Sequence, residues 1–201
     1  AVFCRIPLPE IHEEAADGDR QATGSVWNCA FLFGMLTLFL YCAAQTGVNS
    51  FFINYAVENA SVDHTTASRL LAFGGMGLFV LGRVTGSWMM SRMMPALLLT
   101  LNGVVAALAT LVVVLTGGMA SMIGFGLIFL SESIMFPTIF ALSLTHSQGN
   151  TKLASSLLIM TIVGGAVIPV LMGHIADVTG SMSLAFLVPL ACYLVVSLFG
   201  V

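Results

Sequence analysis

The chain has 201 residues, of which six are basic and nine acidic; it is 58% hydrophobic, carries a net charge of −3 and has a mean hydropathy of +1.03. Only 7% of its residues are charged, against about 25% in a soluble domain, so it cannot coat a globule of its size with charge, and a lipid bilayer is the expected surrounding. The basic residues do not cluster, which argues against a nucleic-acid partner, and Cys4, Cys29, Cys42 and Cys192 lie far apart without a CxxC pair, supporting neither a zinc site nor a disulfide framework.

Residues Ala1 to Cys4 read as the tail of an earlier apolar segment, with no signal peptide. The last residues, Ala191 to Val201, stop inside an apolar run, so the chain is expected to be a fragment of a longer protein. Residues 5–26 form the long polar stretch. They hold Pro7, Pro9, Glu10, Glu13, Glu14, Asp17 and Asp19, which suits a solvated linker that resists helix formation. The expected organisation is a linker over 1–26 and a bundle over 27–201.

Six apolar segments follow: Trp27–Tyr55, Ala67–Met90, Pro95–Leu115, Met119–Leu142, Leu153–Ile175, and Ser183 to the end. Each is long enough to cross about 30 Å of hydrocarbon at about 1.5 Å per residue. None alternates in polarity as a barrel strand would. The expected class is an all-α membrane protein with six transmembrane helices. The connections Asn59–Thr66, Ser91–Met94, Thr116–Gly118, Ser143–Lys152 and Asp177–Ser181 are short, which makes consecutive helices antiparallel neighbours. Arg5, Arg20, Arg92 and Lys152 then share one side, with Arg83 near it and Arg69 nearer the other. That side, holding the linker and the C-terminus, is expected to be cytoplasmic.

No catalytic constellation appears. His12, His64, His146 and His174 have no metal-site spacing, and the HExxH, GxSxG and Walker patterns are absent, so neither an enzyme nor a metal protein is expected. Asp63-His64 reads as a solvated loop pair. The informative residues are polar groups inside the apolar runs, because such groups usually face a bundle interior or an aqueous cavity.

In the first segment Tyr41, Gln45 and Asn49 are spaced four apart, on one helical face, with Phe52, Asn54 and Tyr55 beyond. Neutral amides that both donate and accept, beside aromatic rings, suit a sugar with its paired hydroxyls and apolar ring face. Hydrogen bonding between helices is the competing reading. In the fourth segment Glu132 sits well inside the run, flanked by Ser131 and Ser133, with Phe136 and Pro137 close behind. It reads as a proton carrier, a substrate acceptor, or the partner of a buried arginine. Arg83 reaches a similar depth, so an Arg83–Glu132 ion pair serving as a cytoplasmic-side latch is expected. Gly82, Gly86, Gly164, Gly165 and Pro169 permit close helix approach or bending.

Residues 44–55 (AQTGVNSFFINY), Gly82-Arg83-x-x-Gly86-Ser87, residues 132–140 (ESIMFPTIF), and residues 160–165 (MTIVGG) through Pro169 and Met172-Gly173 together resemble helices seven, eight, ten and eleven of the fucose–galactose–glucose:proton symporters of the major facilitator superfamily. The resemblance covers nearly everything after residue 26. It implies twelve helices in two six-helix halves, with this chain the C-terminal half and an N-terminal half as its missing partner. It further implies sugar:proton symport across the inner membrane by alternating access, with the proton as coupling ion and no other cofactor. The family's proton-handling carboxylates lie in the other half. The substrate-facing residues expected here are Tyr41, Gln45, Asn49, Phe52, Glu132 and Phe136, and Gly164, Gly165, Pro137 and Pro169 are expected to supply helix flexibility. Alternatives from the residues alone are an exporter or facilitator of the same fold, and a small six-helix scaffold or receptor.

Overall fold

The computed structural model describes residues 27–147 and 151–200, so the linker expected over 1–26, with Cys4, Arg5, His12 and Arg20, lies outside the described residues. Helix α1 (Cys29–Ala60) is followed by α2 (His64–Arg69), a π-helical turn (Leu70–Gly75) and α3 (Met76–Met90), which together make one continuous second span. Then come α4 (Pro95–Leu115) and α5 (Met119–Thr145). The fifth span is α6 (Thr151–Met160), a 3₁₀ turn (Thr161–Val163) and α7 (Gly164–Thr179), and the sixth is α8 (Met182–Ala185) with α9 (Leu187–Phe199). Six of these helical stretches are long and apolar enough to cross a membrane.

The expected segments coincide with these spans, and Pro95–Leu115 does so at both ends. Pro95 opens α4 because its missing N–H costs nothing in the first turn. Most of the other boundaries differ by a few residues, and the fourth and fifth spans run on to Thr145 and Thr179. Helix α1 runs on to Ala60 and ends where Ser61 takes the left-handed conformation, φ 53°. The second span starts at His64 because Asp63 accepts from the Thr65 N–H at 3.0 Å and caps it. The same backbone donor holds the exposed Asp63 carboxyl below its ordinary range, so this pair is a solvated helix cap. The sixth span begins at Met182 and is broken at Phe186.

Consecutive spans run antiparallel. At one end the close of α1 meets the close of α4 and the start of α8. Tyr55 Oη, fully buried, lies 2.6 Å from the Val113 carbonyl oxygen and 2.9 Å from that of Thr116, Asn59 donates to Ser183 Oγ at 2.7 Å, and Glu58 Oε1 accepts from the Met182 N–H at 3.2 Å. At the other end Phe33, His146 and Phe199 bring together α1, the α5 terminus and α9. Tyr55→Phe removes the one donor serving the two carbonyls at the end of α4. It should lower stability by about 1–2 kcal/mol, measured as a lower melting midpoint in detergent.

The core runs down the middle of α1, α5, α4 and α9. Phe125 on α5 makes edge contacts with Phe52 at 4.9 Å, Tyr55 at 5.1 Å and Phe186 at 5.2 Å. Helix α4 packs on α5 and α9, and Gly103 lies so close to α9 that a Cβ there would sit 2.9 Å from the Ser197 backbone. The second span packs mainly on α5, and the fifth mainly on α1. These two are the least buried of the six, at 17% and 28% against 39–56% for the rest. Trp27 and Trp88, both more than half exposed, fall at the same end of the bundle, and the Arg92 guanidinium lies 5.3 Å from the Trp88 ring. That is the usual station of Trp and Arg at a bilayer boundary.

Candidate functional site

The site is built on α1, the central helix. One side of α1 meets α5: Tyr41 Oη donates to the Glu132 backbone carbonyl at 2.8 Å, and Phe52 packs on Phe125 and Phe129. Another side meets α7, where a Cβ on Gly165 would sit 2.6 Å from Thr46 Oγ1 and one on Gly47 would sit 2.5 Å from the Met172 sulfur. Between these two contacts α1 carries Gln45 and Asn49, both half-buried. Thr46, Ser50 and Asn54, again four apart, are exposed beside them. The result is a polar strip about halfway along a 32-residue apolar helix, open on one face.

The amides are not consumed by the fold. Asn49 Nδ2 donates back to the Gln45 carbonyl at 2.8 Å, but its Oδ1 is buried without a partner. The Gln45 side chain makes no hydrogen bond to any described residue. A buried, unpaired amide oxygen costs about 1–3 kcal/mol. Such a group is tolerated where a ligand or water completes it. The competing expectation, that these amides bond neighbouring helices, finds no such bond among the described residues. Phe136, half-buried, lies 6.3 Å from the Tyr41 ring and stacks on Phe140 at 6.3 Å, supplying an aromatic edge on the α5 side.

Three of the expected substrate-facing residues lie inside the bundle. Tyr41, Phe52 and Glu132 are buried inside the bundle, at 0%, 3% and 0% exposure, and offer no surface to a ligand in this conformation. Their side chains point at α5 or α9: Tyr41 at the Glu132 carbonyl, Phe52 at Phe125 and Phe129, and Glu132 at Tyr193. The expected Arg83–Glu132 pair is not formed in this conformation. Arg83 is exposed and lies 6.0 Å from the Phe79 ring. Glu132 instead accepts a hydrogen bond at Oε1 from Tyr193 Oη of α9, and its Oε2 is buried without a partner. Tyr193, a polar group in the middle of the sixth span, is the residue that the sequence reading passed over. The rule that singled out Tyr41 would have found it.

The glycines and prolines sit at contacts. Gly82 and Gly86 face α5, at Leu130–Ser133 and Ile134 respectively, and Gly164 faces the Phe39 carbonyl of α1. Pro137 lies inside α5 and Pro169 inside α7. Each leaves the carbonyl four residues earlier without its helical donor. An apolar cavity of about 180 Å³ lies between the π-helical turn, α1 and α5, lined by Phe52, Leu70, Gly75, Met122, Phe125 and Phe129. It holds none of the polar residues above.

The chain is similar to known transporters along nearly its whole length. It is 33% identical over 202 residues to a glucose/galactose transporter of Brucella abortus, covering 99% of this chain and 48% of the relative. It is 34% identical over 168 residues to the L-fucose-proton symporter of Escherichia coli, covering 84% and 38%. Its fold matches the crystal structure of a major facilitator superfamily transporter, FucP, in the outward conformation, with a TM-score of 0.80, 34% identity, and coverage of 86% of this chain and 42% of that one. No family model matches. The chain spans about half the length of the curated relatives it matches.

Proposed function

We infer that this chain, which belongs to the major facilitator superfamily, is the C-terminal six-helix half of a sugar:proton symporter working by alternating access. The observation that carries the reading is the open polar strip of α1, where Gln45 and Asn49 keep unspent hydrogen-bonding capacity, one turn from Tyr41 and its neighbour Phe136. Paired amide donors and acceptors complement sugar hydroxyls, and an aromatic edge complements the apolar face of the ring. The relatives' names, fucose on one side and glucose or galactose on the other, supply the candidate substrates.

The poorly buried second and fifth spans flank this strip. In this reading their outward faces meet the other half and close the sugar path between the two, as the repeats of such transporters do. A multi-pass arrangement in the inner membrane, with the Arg92 and Lys152 side cytoplasmic, follows from the distribution of basic residues. The chain then has a transport role and no enzymatic one.

Gln45→Ala and Asn49→Ala in the full-length protein should each weaken sugar binding about tenfold, the equivalent of one good polar contact, with expression intact. Calorimetric titration with fucose, galactose and glucose measures this. Unchanged affinity in both variants would remove the strip from the binding site.

A further inference from the structure

The apolar cavity walled by the π-helical turn has an entrance. A groove of about 380 Å³ adjoins it, and the two share Leu78, Met122 and Gly126 as walls. The direction of the entrance is fixed by α5. Gly124 faces α4, where a Cβ would sit 3.0 Å from the Ala109 carbonyl oxygen, and Phe125 faces α1 through Phe52 and Tyr55. Gly126 faces the second span, where a Cβ would sit 3.2 Å from Leu78. At about 100° per residue, Ile123 and Leu127 both point about 160° away from Phe125, into the sector between α4 and the second span. They line the groove with Leu130, and the three are 64%, 44% and 39% exposed. The groove therefore opens on the side of α5 that turns away from α1 and its polar strip, which is the side left to the bilayer.

From Ile123 to Leu130 the groove follows about 10 Å of helix at about 1.5 Å per residue, in the half of α5 nearer Met119. Every side chain lining the groove and the cavity is apolar, or the residue is a glycine. Water finds no partner in such a space: an apolar cavity of about 150 Å³ stays dry and takes up a benzene-sized molecule. The inner cavity here is about 180 Å³. Left empty, it would forfeit the dispersion contacts of its walls. Hydrocarbon stands at the mouth, and a lipid chain entering from it leaves no water and regains those contacts. The backbone keeps the space open. Gly75 of the π-helical turn lies against the Phe129 ring, and Gly74 borders the cavity with nothing within 4 Å of an added Cβ. Isolated π-helical turns of this kind occur frequently at functional sites.

We propose that the groove and cavity are a binding site for one acyl chain of a membrane lipid, which enters between the second span and α4 and reaches Phe52. A helix of the other half, about 10–12 Å across, is too wide for the inner cavity, whereas an unbranched chain is not. The occupied cavity braces Phe52, three residues along α1 from Asn49, so the lipid supports the helix that carries the polar strip. The site needs the membrane-spanning fold and depends on neither the sugar nor the proton.

The test uses the full-length protein in phosphatidylcholine vesicles that carry a trace of the same lipid with a diazirine on one acyl chain. After photolysis, labelled residues are mapped by peptide mass spectrometry. Phe52, Phe125 and Phe129 are 3%, 1% and 1% exposed, so lipid that merely surrounds the bundle does not reach them. Label on these rings, at a level comparable with the exposed Leu108 of α4, is the expected result. Label on Ile123 and Leu127 without the rings means surrounding lipid only, and label on Leu108 without Ile123 and Leu127 means that the other half covers the mouth; either overturns the proposal. Met122→Trp should fill the shared wall and lower labelling of the rings at least about tenfold, the effect of about 1.4 kcal/mol lost on binding, with Leu108 labelled as before. Undiminished labelling of the rings in that variant also overturns the proposal. If Met122→Trp does not fold, the wild-type map decides by itself.

Discussion

Gly82→Val is expected to detach the second span from α5 and to cost the protein both thermal stability and transport. The buried residues of that span are Ala67, Gly75, Gly82 and Gly86, all small. It is therefore held mainly by close backbone approach, with the half-buried Leu71 and Leu78 against the core, in the manner of small-residue contacts between membrane helices. A Cβ on Gly82 would lie 2.6 Å from the Leu130 carbonyl oxygen and 2.5 Å from Ser133 Oγ. The first of these is backbone and moves only if α5 moves. Overpacking an interior commonly costs about 1–3 kcal/mol, and a clash with main chain belongs at the top of that range. Gly74→Ala is the matched control: nothing lies within 4 Å of its added Cβ, and replacing a helical Gly by Ala slightly favours the helix. Melting of the full-length protein in detergent should fall by several degrees for Gly82→Val and hold for Gly74→Ala. Equal melting of the two would show that the span is not seated through Gly82.

That contact also explains which parts of the molecule could be read from residues alone. Span number, order and approximate extent were legible because they follow from unbroken apolar length, which no neighbour alters. The π-helical turn at Leu70–Gly75 and the break at Phe186 were not. Gly75 lies against the Phe129 ring and Phe186 against Tyr55 and Phe125, so both irregularities answer to residues far away in the chain. At the site, the four-residue spacing of Gln45 and Asn49 identified the open strip. Counting depth placed Arg83 beside Glu132, but depth fixes height in the bilayer and leaves the direction around the helix free. Gly82 and Gly86 are the residues that face α5, and Arg83 is turned about 100° from Gly82 and about 60° from Gly86. The small-x-x-x-small pattern already marked that face, and combining it with depth would have excluded the pair. Helix α5, facing Tyr193 on its other side, could not be read this way, because pairing between α5 and α9 is set by the packing of the whole bundle.

Pro169→Ala should leave sugar affinity within about twofold of wild type and slow transport turnover about tenfold, the effect of stabilising one conformer by about 1.4 kcal/mol. The fifth span has the features of a hinge in sequence: a 3₁₀ turn at Thr161–Val163, then Gly164 pressed on the Phe39 carbonyl, then Gly165 against Thr46, then Pro169. Pro169 has no N–H, so the Gly165 carbonyl lacks its helical donor at the point where α7 crosses α1. Alanine restores that bond and relieves the ring clash, which favours the straight helix over the bent one. The span is among the two least buried, so little packing opposes its movement, and in the proposed transport cycle the flexibility of its backbone would set how fast the α1–α7 side of the polar strip opens. Gly173, whose added Cβ would meet Phe51 only at an ordinary 3.5 Å, gives the comparison variant: Gly173→Ala should change neither affinity nor rate. Exchange rates in proteoliposomes, read beside calorimetric affinities, separate turnover from binding. A Pro169→Ala protein that turns over at the wild-type rate would make the proline a packing feature and place the moving element elsewhere.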